Sequence, residues 1–156
     1  MSWEPGRDQV QQLLDDGELD QVTLDMRIAR RLLEDAGRHL TSAQSAASAG
    51  DLSGAYQLAY DALRKSAAAL LAAQGLRATS RGGHLAIQDA VIAQFGSTVR
   101  SLRSFSRIRR ARNNFEYPSA ETPGPTTDDV GDAVAVATEA HQAAVTILDQ
   151  EILTPW

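Results

Sequence analysis

Apolar residues recur at every third or fourth position along most of this chain, and this spacing constrains the fold more than any other feature. The clearest case is a set that one face of a helix presents to a core: Tyr56, Ala59, Leu63, Ala67 and Leu70. Alternation of polar and apolar residues, the mark of a half-buried strand, is nowhere sustained. The pattern therefore predicts an all-α protein.

Glycines, prolines and capping residues divide the pattern into a short N-terminal helix and four to five main helices. We expect helices at about 8–15, 19–48, 52–74, 84–95 and 97–116, and a last one capped by Thr126 or Thr127. The second helix is predicted to bury Leu24, Ile28, Leu32, Ala36 and Leu40, and residues 77–83 to form a loop. Short turns between long helices imply an antiparallel up-and-down bundle. We expect one domain over 1–156, with 1–18 as an appendage and 19–150 as the bundle.

The composition is that of an ordinary globular protein. The 156 residues are 43% hydrophobic and 22% charged, enough for one domain with its own core. The chain has no cysteine, so it has no disulfide framework and no thiolate zinc ligands, which indicates a reducing compartment. No signal-like start and no apolar run of roughly 20 residues is present. We therefore expect a cytoplasmic protein without membrane association.

The segment 100–112 concentrates positive charge on a chain of negative net charge. It holds six of the fifteen basic residues and no acidic one, whereas the formal net charge is −5. At about 100° per residue, four of these arginines share one side of the predicted helix: Arg100, Arg103, Arg107 and Arg110. They form either a solvated face that aids solubility or a stripe that follows a phosphate backbone.

Arg112 lies on the other side of that helix, in the middle of its apolar arc. The arc consists of Leu102, Phe105, Ile108 and Phe115. A guanidinium cannot lose its proton there, so its burial requires partners. One interpretation is an internal ion pair, with Glu116, Asp61 or Asp35. The other is an arginine held in a cleft or at a dimer seam to bind a phosphate, and the spacing alone favours the ion pair.

The segment Arg112-Asn113-Asn114-Phe115-Glu116-Tyr117, late in an all-helical chain, resembles the motif of the HEPN superfamily of small nucleotide- and RNA-binding domains. The hallmark of that family is an Arg, four to six residues and then a His, usually with a polar residue such as Asn directly after the Arg. The stretch 54–65 and the triplet Gly82-Gly83-His84 resemble the paired-helix start and the inter-helix turn of prokaryotic members. The resemblance covers about residues 24–148.

The resemblance implies a homodimer in which two copies of the motif face each other across a cleft. Active members are metal-independent ribonucleases, often toxins paired with a nucleotidyltransferase-type or other antitoxin, and they need no cofactor. Their Arg binds the scissile phosphate while their His moves a proton, so that the 2′-hydroxyl can attack. For this chain the resemblance carries over to Arg112 and Asn113. We expect Arg109, Arg110 and His84 to contribute with them to binding of RNA or a nucleotide.

The motif departs from the family pattern at Tyr117, which stands five positions after Arg112, where the His is expected. Histidine, with a pKa of about 6.5, can accept and donate a proton at neutral pH. Tyrosine has an ordinary pKa near 10, so only about one side chain in a thousand is ionised at neutral pH and able to act as a base. We therefore expect an RNA-, nucleotide- or partner-binding HEPN protein of a toxin–antitoxin or defence-type module, weakly active or inactive as a nuclease.

Two alternatives remain open. The first is a working metal-independent ribonuclease in which Arg112 acts with Tyr117, Glu116 or His84 as the proton-transfer group. The second is that Tyr117 accepts a nucleotidyl group from a partner enzyme. The sequence offers no metal site, because no two histidines stand at helical spacing and the carboxylates are scattered.

Overall fold

The computed structural model describes residues 3–156, which fold as a bundle of α-helices. These are α1 (Arg7–Asp15), α2 (Met26–Ser48), α3 (Leu52–Ala72), α4 (Gly83–Phe95), α5 (Phe105–Glu116) and α6 (Thr127–Asp149). A 3-10 helix, Arg100–Ser104, leads into α5. Two short strands, β1 (Leu19–Gln21) and β2 (Leu76–Ala78), pair in antiparallel orientation. The prediction of an all-α helical bundle is confirmed.

Helix α3 lies at the centre of the bundle and packs against α2, α4, α5 and α6. Its predicted apolar set is buried as expected, since Tyr56 is 3% exposed and Leu63 is fully buried. Two members of that set, Ala59 and Ala67, are fully buried small side chains, which lets neighbouring helices approach closely. The central position of α3 allows residues on its different faces to meet both α4 and α5.

Helix ends follow the capping residues in the sequence. The Asp51 side chain accepts a hydrogen bond from the Gly54 amide at the start of α3, and Thr126 forms a capping box with Asp129 at the start of α6. At the other end of α5, Pro118 disfavours helical geometry in the preceding residue. Tyr117 accordingly lies outside the helix, with φ −119° and ψ 70°.

The second predicted helix is too long at its start. Residues Leu19–Gln21 form β1 and pair with β2, which overlaps the start of the predicted loop 77–83. Helix α2 begins at Met26 after the Asp25 cap. The buried face of α2 is also shifted from the prediction. Ala36 is buried as expected and Leu32 and Leu40 are partly buried, but Ile28 is 55% exposed.

The predicted helix over 97–116 was likewise wrong at its start. Val99 is extended, and the 3-10 helix Arg100–Ser104 precedes α5. The turn before α4 is confirmed, and Gly82 is required there because a Cβ atom would lie 2.1 Å from the Glu18 carbonyl oxygen. This close approach fixes the start of α4, so His84 stands in its first turn as predicted.

None of the helices in residues 3–156 combines the length and the apolar character that a bilayer-spanning segment needs.

Candidate functional site

Helices α3, α4 and α5 bring Tyr60, His84 and Arg112 together. The Tyr60 hydroxyl lies 2.9 Å from Nδ1 of His84. The guanidinium carbon of Arg112 lies 5.4 Å from the centroid of the Tyr60 ring, within the range of a cation–π contact. Phe105 supports the same ring edge to face, with centroids 6.1 Å apart. His84 and Arg112 are therefore joined through one buried tyrosine.

Arg112 is half-buried and makes its hydrogen bonds to neutral groups. Its Nε donates to Oε1 of Gln57 at 2.6 Å, and its Nη1 donates to Oδ1 of Asn113 at 3.1 Å. Asn113 is thus a direct partner of the arginine that it follows. These contacts orient the guanidinium without cancelling its charge.

The predicted ion pair of Arg112 is not formed within residues 3–156. Asp61 pairs with Arg64 at 3.6 Å, and Asp35 pairs with Lys65 at 3.6 Å. No carboxylate of the described residues lies within the 4.0 Å limit of an ion pair with Arg112. The positive charge of Arg112 is therefore not compensated by a carboxylate in direct contact.

Arg109 stands one turn before Arg112 and is held in the same way. Its Nε donates to Oε1 of Gln88 at 2.9 Å, and Gln88 is only 6% exposed. Among residues 3–156 the terminal amino groups of Arg109 have no hydrogen-bond partner, and neither has Nη2 of Arg112. Two guanidiniums on successive turns of α5 thus keep free donors.

The electrostatic surroundings keep the tyrosine and the histidine neutral. Burial lowers the pKa of His84 below 6.5, and the charges of Arg64 and Arg112 lower it further. Burial raises the pKa of Tyr60 above 10, an effect that the same arginines partly oppose. At neutral pH the hydrogen bond between them therefore joins an uncharged phenol and an uncharged imidazole.

We expect His84 to titrate with a midpoint below pH 6.5 and the midpoint to rise when a phosphate-bearing ligand binds. The rise follows because the negative charge of the ligand offsets Arg64 and Arg112. The free protein should also lose stability as the pH falls below 6.5 through the folded-state pKa, because in that window the unfolded chain binds more protons. Histidine NMR titration and urea unfolding check this, with His84→Gln assigning the signal. A midpoint at or above 6.5 would contradict the prediction.

We call Tyr60, His84, Arg109 and Arg112, with the side chains that hold them, the Arg112 cluster. The other predicted site residues lie outside it. The Tyr117 side chain is 78% exposed, and within residues 3–156 no hydrogen bond or ring contact joins it to Arg112 or His84. Glu116 is exposed as well, and within the described part of the chain Arg110 donates only to the Ser106 carbonyl oxygen, at 3.4 Å. Of the three residues predicted to replace the motif histidine, His84 is the one that shares a partner with Arg112.

Sequence reasoning missed the glutamines, and it gave Tyr60 and Arg64 no assigned role in the site. Its helical position beside the apolar stripe indicated that Tyr60 could line a cleft or a dimer interface, but not which residues it would contact. In the structure Tyr60 is 1% exposed and links His84 to Arg112. Nothing in the sequence marks Gln57 or Gln88 as partners of an arginine. These glutamines lie in α3 and α4, and only the packing of those helices against α5 brings them to the arginines.

The described residues contain no group of three or more His, Asp or Glu side chains that could hold a metal ion. An apolar groove of about 520 Å³ lies elsewhere, between α2, α3 and β2. Its lining includes Ile28, Leu32 and Ala72 but none of the residues of the Arg112 cluster. The groove has no evident part in the chemistry of that cluster.

The fold and the cluster define a small helical-bundle protein with uncompensated arginines beside a tyrosine–histidine pair. A family model described as the HEPN domain matches residues 29–148, which is most of the chain. The protein therefore belongs to the HEPN family, as the segment from Arg112 to Tyr117 had indicated. Membership supports a nucleotide- or RNA-binding or ribonuclease-like domain. Comparisons with curated proteins and with solved structures returned no significant match.

Proposed function

We propose that this HEPN protein binds RNA or a nucleotide through the cluster around Arg112, with weak or no nuclease activity. The observation that carries the proposal is the guanidinium of Arg112, which lies over Tyr60, is held by Gln57 and forms no ion pair with a carboxylate of residues 3–156. An arginine in this state offers charged, planar donors that match the oxygens of a phosphate. Asn113 and Arg109 supply further polar contacts beside it.

Weak activity is supported by the residue at the motif histidine position. Tyr117 is exposed at the end of α5, where its backbone amide donates to the Asn113 carbonyl oxygen. Within residues 3–156 its side chain makes no hydrogen bond or ring contact with Arg112 or His84. A tyrosine is a poor general base at neutral pH, and a base must also reach the proton that it removes. Neither the residue type nor the exposed position therefore favours proton transfer by Tyr117.

A metal-independent ribonuclease is the second candidate, and the position of His84 favours it. Its imidazole is neutral and hydrogen-bonded to the tyrosine that contacts Arg112. To act as a base, Nδ1–H would donate to the phenolic oxygen and leave Nε2 with a free lone pair. In this candidate Arg112 binds the scissile phosphate and His84 replaces the motif histidine.

The biological setting proposed is a toxin–antitoxin or defence-type module in which the chain forms a homodimer. Its partner would be a nucleotidyltransferase-type protein or another antitoxin. Membership of the HEPN family supports this setting. Two copies of the chain facing each other would double the number of guanidiniums available to one nucleic-acid strand, and sedimentation analysis tests the dimer directly.

The decisive experiment incubates the purified protein with labelled RNAs in EDTA and measures both binding and cleavage. We expect the protein to bind RNA without cleaving it. Arg112→Ala should weaken the affinity about tenfold or more, because it removes roughly one charge-assisted contact. Circular dichroism of the variant verifies that it is folded. Cleavage that leaves a 2′,3′-cyclic phosphate and needs both Arg112 and His84 would replace this proposal by the ribonuclease. Absence of binding to any RNA would refute the ribonuclease, and absence of binding to nucleotides as well would refute the proposal.

A further inference from the structure

Arg109 and Arg112 form a matched pair on α5. They are three residues apart, so their Cβ atoms lie about 5–6 Å from each other on neighbouring turns of one helix face. Each Nε donates to the side-chain oxygen of a glutamine on another helix, Gln88 of α4 and Gln57 of α3. The same anchoring arrangement therefore occurs twice, side by side.

Each glutamine is in turn oriented by a carboxylate. Nε2 of Gln57 donates to Oδ1 of Asp61 at 3.1 Å, and Nε2 of Gln88 donates to Oδ1 of Asp89 at 3.3 Å. An ionised carboxylate can only accept, so the amide nitrogen must face it and the amide oxygen must face the arginine. In both cases the carboxylate orients the amide and the amide orients the guanidinium.

The side chains that hold the two arginines are neutral amides, so they do not offset the positive charge of the guanidiniums. Glutamine occupies one N–H donor and fixes the plane of the guanidinium but leaves its full charge. A glutamate at the same place would form an ion pair and would compete with any anionic ligand. The choice of glutamine at positions 57 and 88 thus keeps both charges available.

We propose that Gln57 and Gln88 are positioning residues that present Arg112 and Arg109 as a pair to a ligand with two linked phosphates. The inference rests on the proposed function, since it concerns the same cluster. Each guanidinium directs its free terminal donors at one phosphate. The two phosphates are either neighbours in a nucleic-acid strand or the diphosphate of a nucleotide, and a ligand with one phosphate engages only one of the arginines.

Four probes of defined phosphate number test the ligand class by calorimetry. They are AMP and ADP, and a dinucleoside monophosphate with and without an added 5′-phosphate. We expect the second phosphate to raise the affinity about tenfold or more in at least one series. A gain from AMP to ADP identifies the diphosphate, and a gain from the added 5′-phosphate identifies the strand.

Gln57→Glu tests the positioning role, with Gln142→Glu as the matched control. Gln142 is exposed on α6, and its replacement makes the same change in net charge. We expect Gln57→Glu to abolish the gain from the second phosphate, because the new carboxylate pairs with Arg112. The melting temperature should fall, because the same carboxylate faces Asp61 and loses the hydrogen bond that the amide donates to it. The control should stay within about twofold of the wild-type affinity. A purely structural role of Gln57 would leave the gain from the second phosphate intact in the folded variant.

The outcomes separate this inference from the proposed function. If binding depends on Arg112 but the second phosphate adds nothing, the two-phosphate inference fails while the proposed function stands. If Gln57→Glu keeps the full gain, the positioning role is refuted. If none of the probes and no RNA binds, the proposed function fails, and this inference fails with it.

Discussion

Replacement of Phe105 by alanine is expected to lower the free energy of unfolding by about 3–5 kcal/mol. The side chain is fully buried, so its loss removes apolar burial and leaves a cavity that the neighbouring helices cannot close completely. Domains of this kind are stable by only about 5–15 kcal/mol. The variant should therefore lose a large fraction of its stability, and urea and thermal unfolding followed by circular dichroism will measure the loss.

Phe115→Ala is the matched control, because it makes the same chemical change in the same helix. Phe115 is only partly buried and packs edge to face on Tyr56, with ring centroids 4.9 Å apart. Its replacement should cost clearly less than that of Phe105, since less apolar surface returns to water. Equal losses for the two variants would show that burial at Phe105 does not determine the stability of this region.

Phe105 also connects stability with the site, because its ring supports that of Tyr60. At temperatures where the Phe105→Ala variant is still folded, the tyrosine has lost one wall of its pocket. The NMR titration of His84 should then move toward the ordinary value of histidine, as water reaches the hydrogen bond between the two side chains.

The parts of the fold that depend on local periodicity were predictable from the sequence. The apolar set of α3 is buried because spacing by three and four residues fixes which side chains share a helix face. Strand β1 was not predictable in this way. Its three residues are held by pairing of Leu19–Gln21 with Leu76–Ala78, and no periodic pattern can develop over so short a segment.

The candidate site was likewise predictable only where it depends on helical spacing, and not where it depends on how the helices pack. The helical spacing correctly separated Arg112 from Arg107 and Arg110, which are exposed. It gave the direction of the Arg112 side chain but not the group that faces it, because Gln57 is 55 residues away in the chain. The contact between Tyr60 and His84 likewise spans 24 residues and depends on how α3 and α4 pack.

The position of Tyr117 was unpredictable for another reason. Pro118 ends α5 before this residue, so helical spacing does not apply to it. A helical-wheel angle for Tyr117, extrapolated from Arg112, is not valid because the helix ends at Glu116. A motif that reads as continuous in the sequence is therefore divided between a half-buried arginine and an exposed tyrosine in the fold.

The arginines of 100–112 should contribute very unequally to RNA binding. We expect the double replacement Arg109→Gln and Arg112→Gln to weaken binding of single-stranded RNA by about 100-fold, roughly two lost charge-assisted contacts. The slope of log affinity against log salt should become shallower by about 1.4, since each phosphate contact to a single strand contributes about 0.7. Fluorescence anisotropy from about 50 to 200 mM NaCl measures both quantities.

Arg107→Gln with Arg110→Gln is the control, because it removes the same charge from the same helix. Arg107 already pairs with Asp132 at 2.6 Å, and Arg110 is exposed and bonded only to backbone. Exposed charges of this kind are strongly screened, so we expect a loss of less than about threefold. If both doubles lose affinity equally, the exposed arginines form a stripe that follows the phosphate backbone, and binding does not centre on the Arg112 cluster. A larger loss for the Arg109 and Arg112 double assigns the binding to these two arginines, whose side chains are held by glutamines.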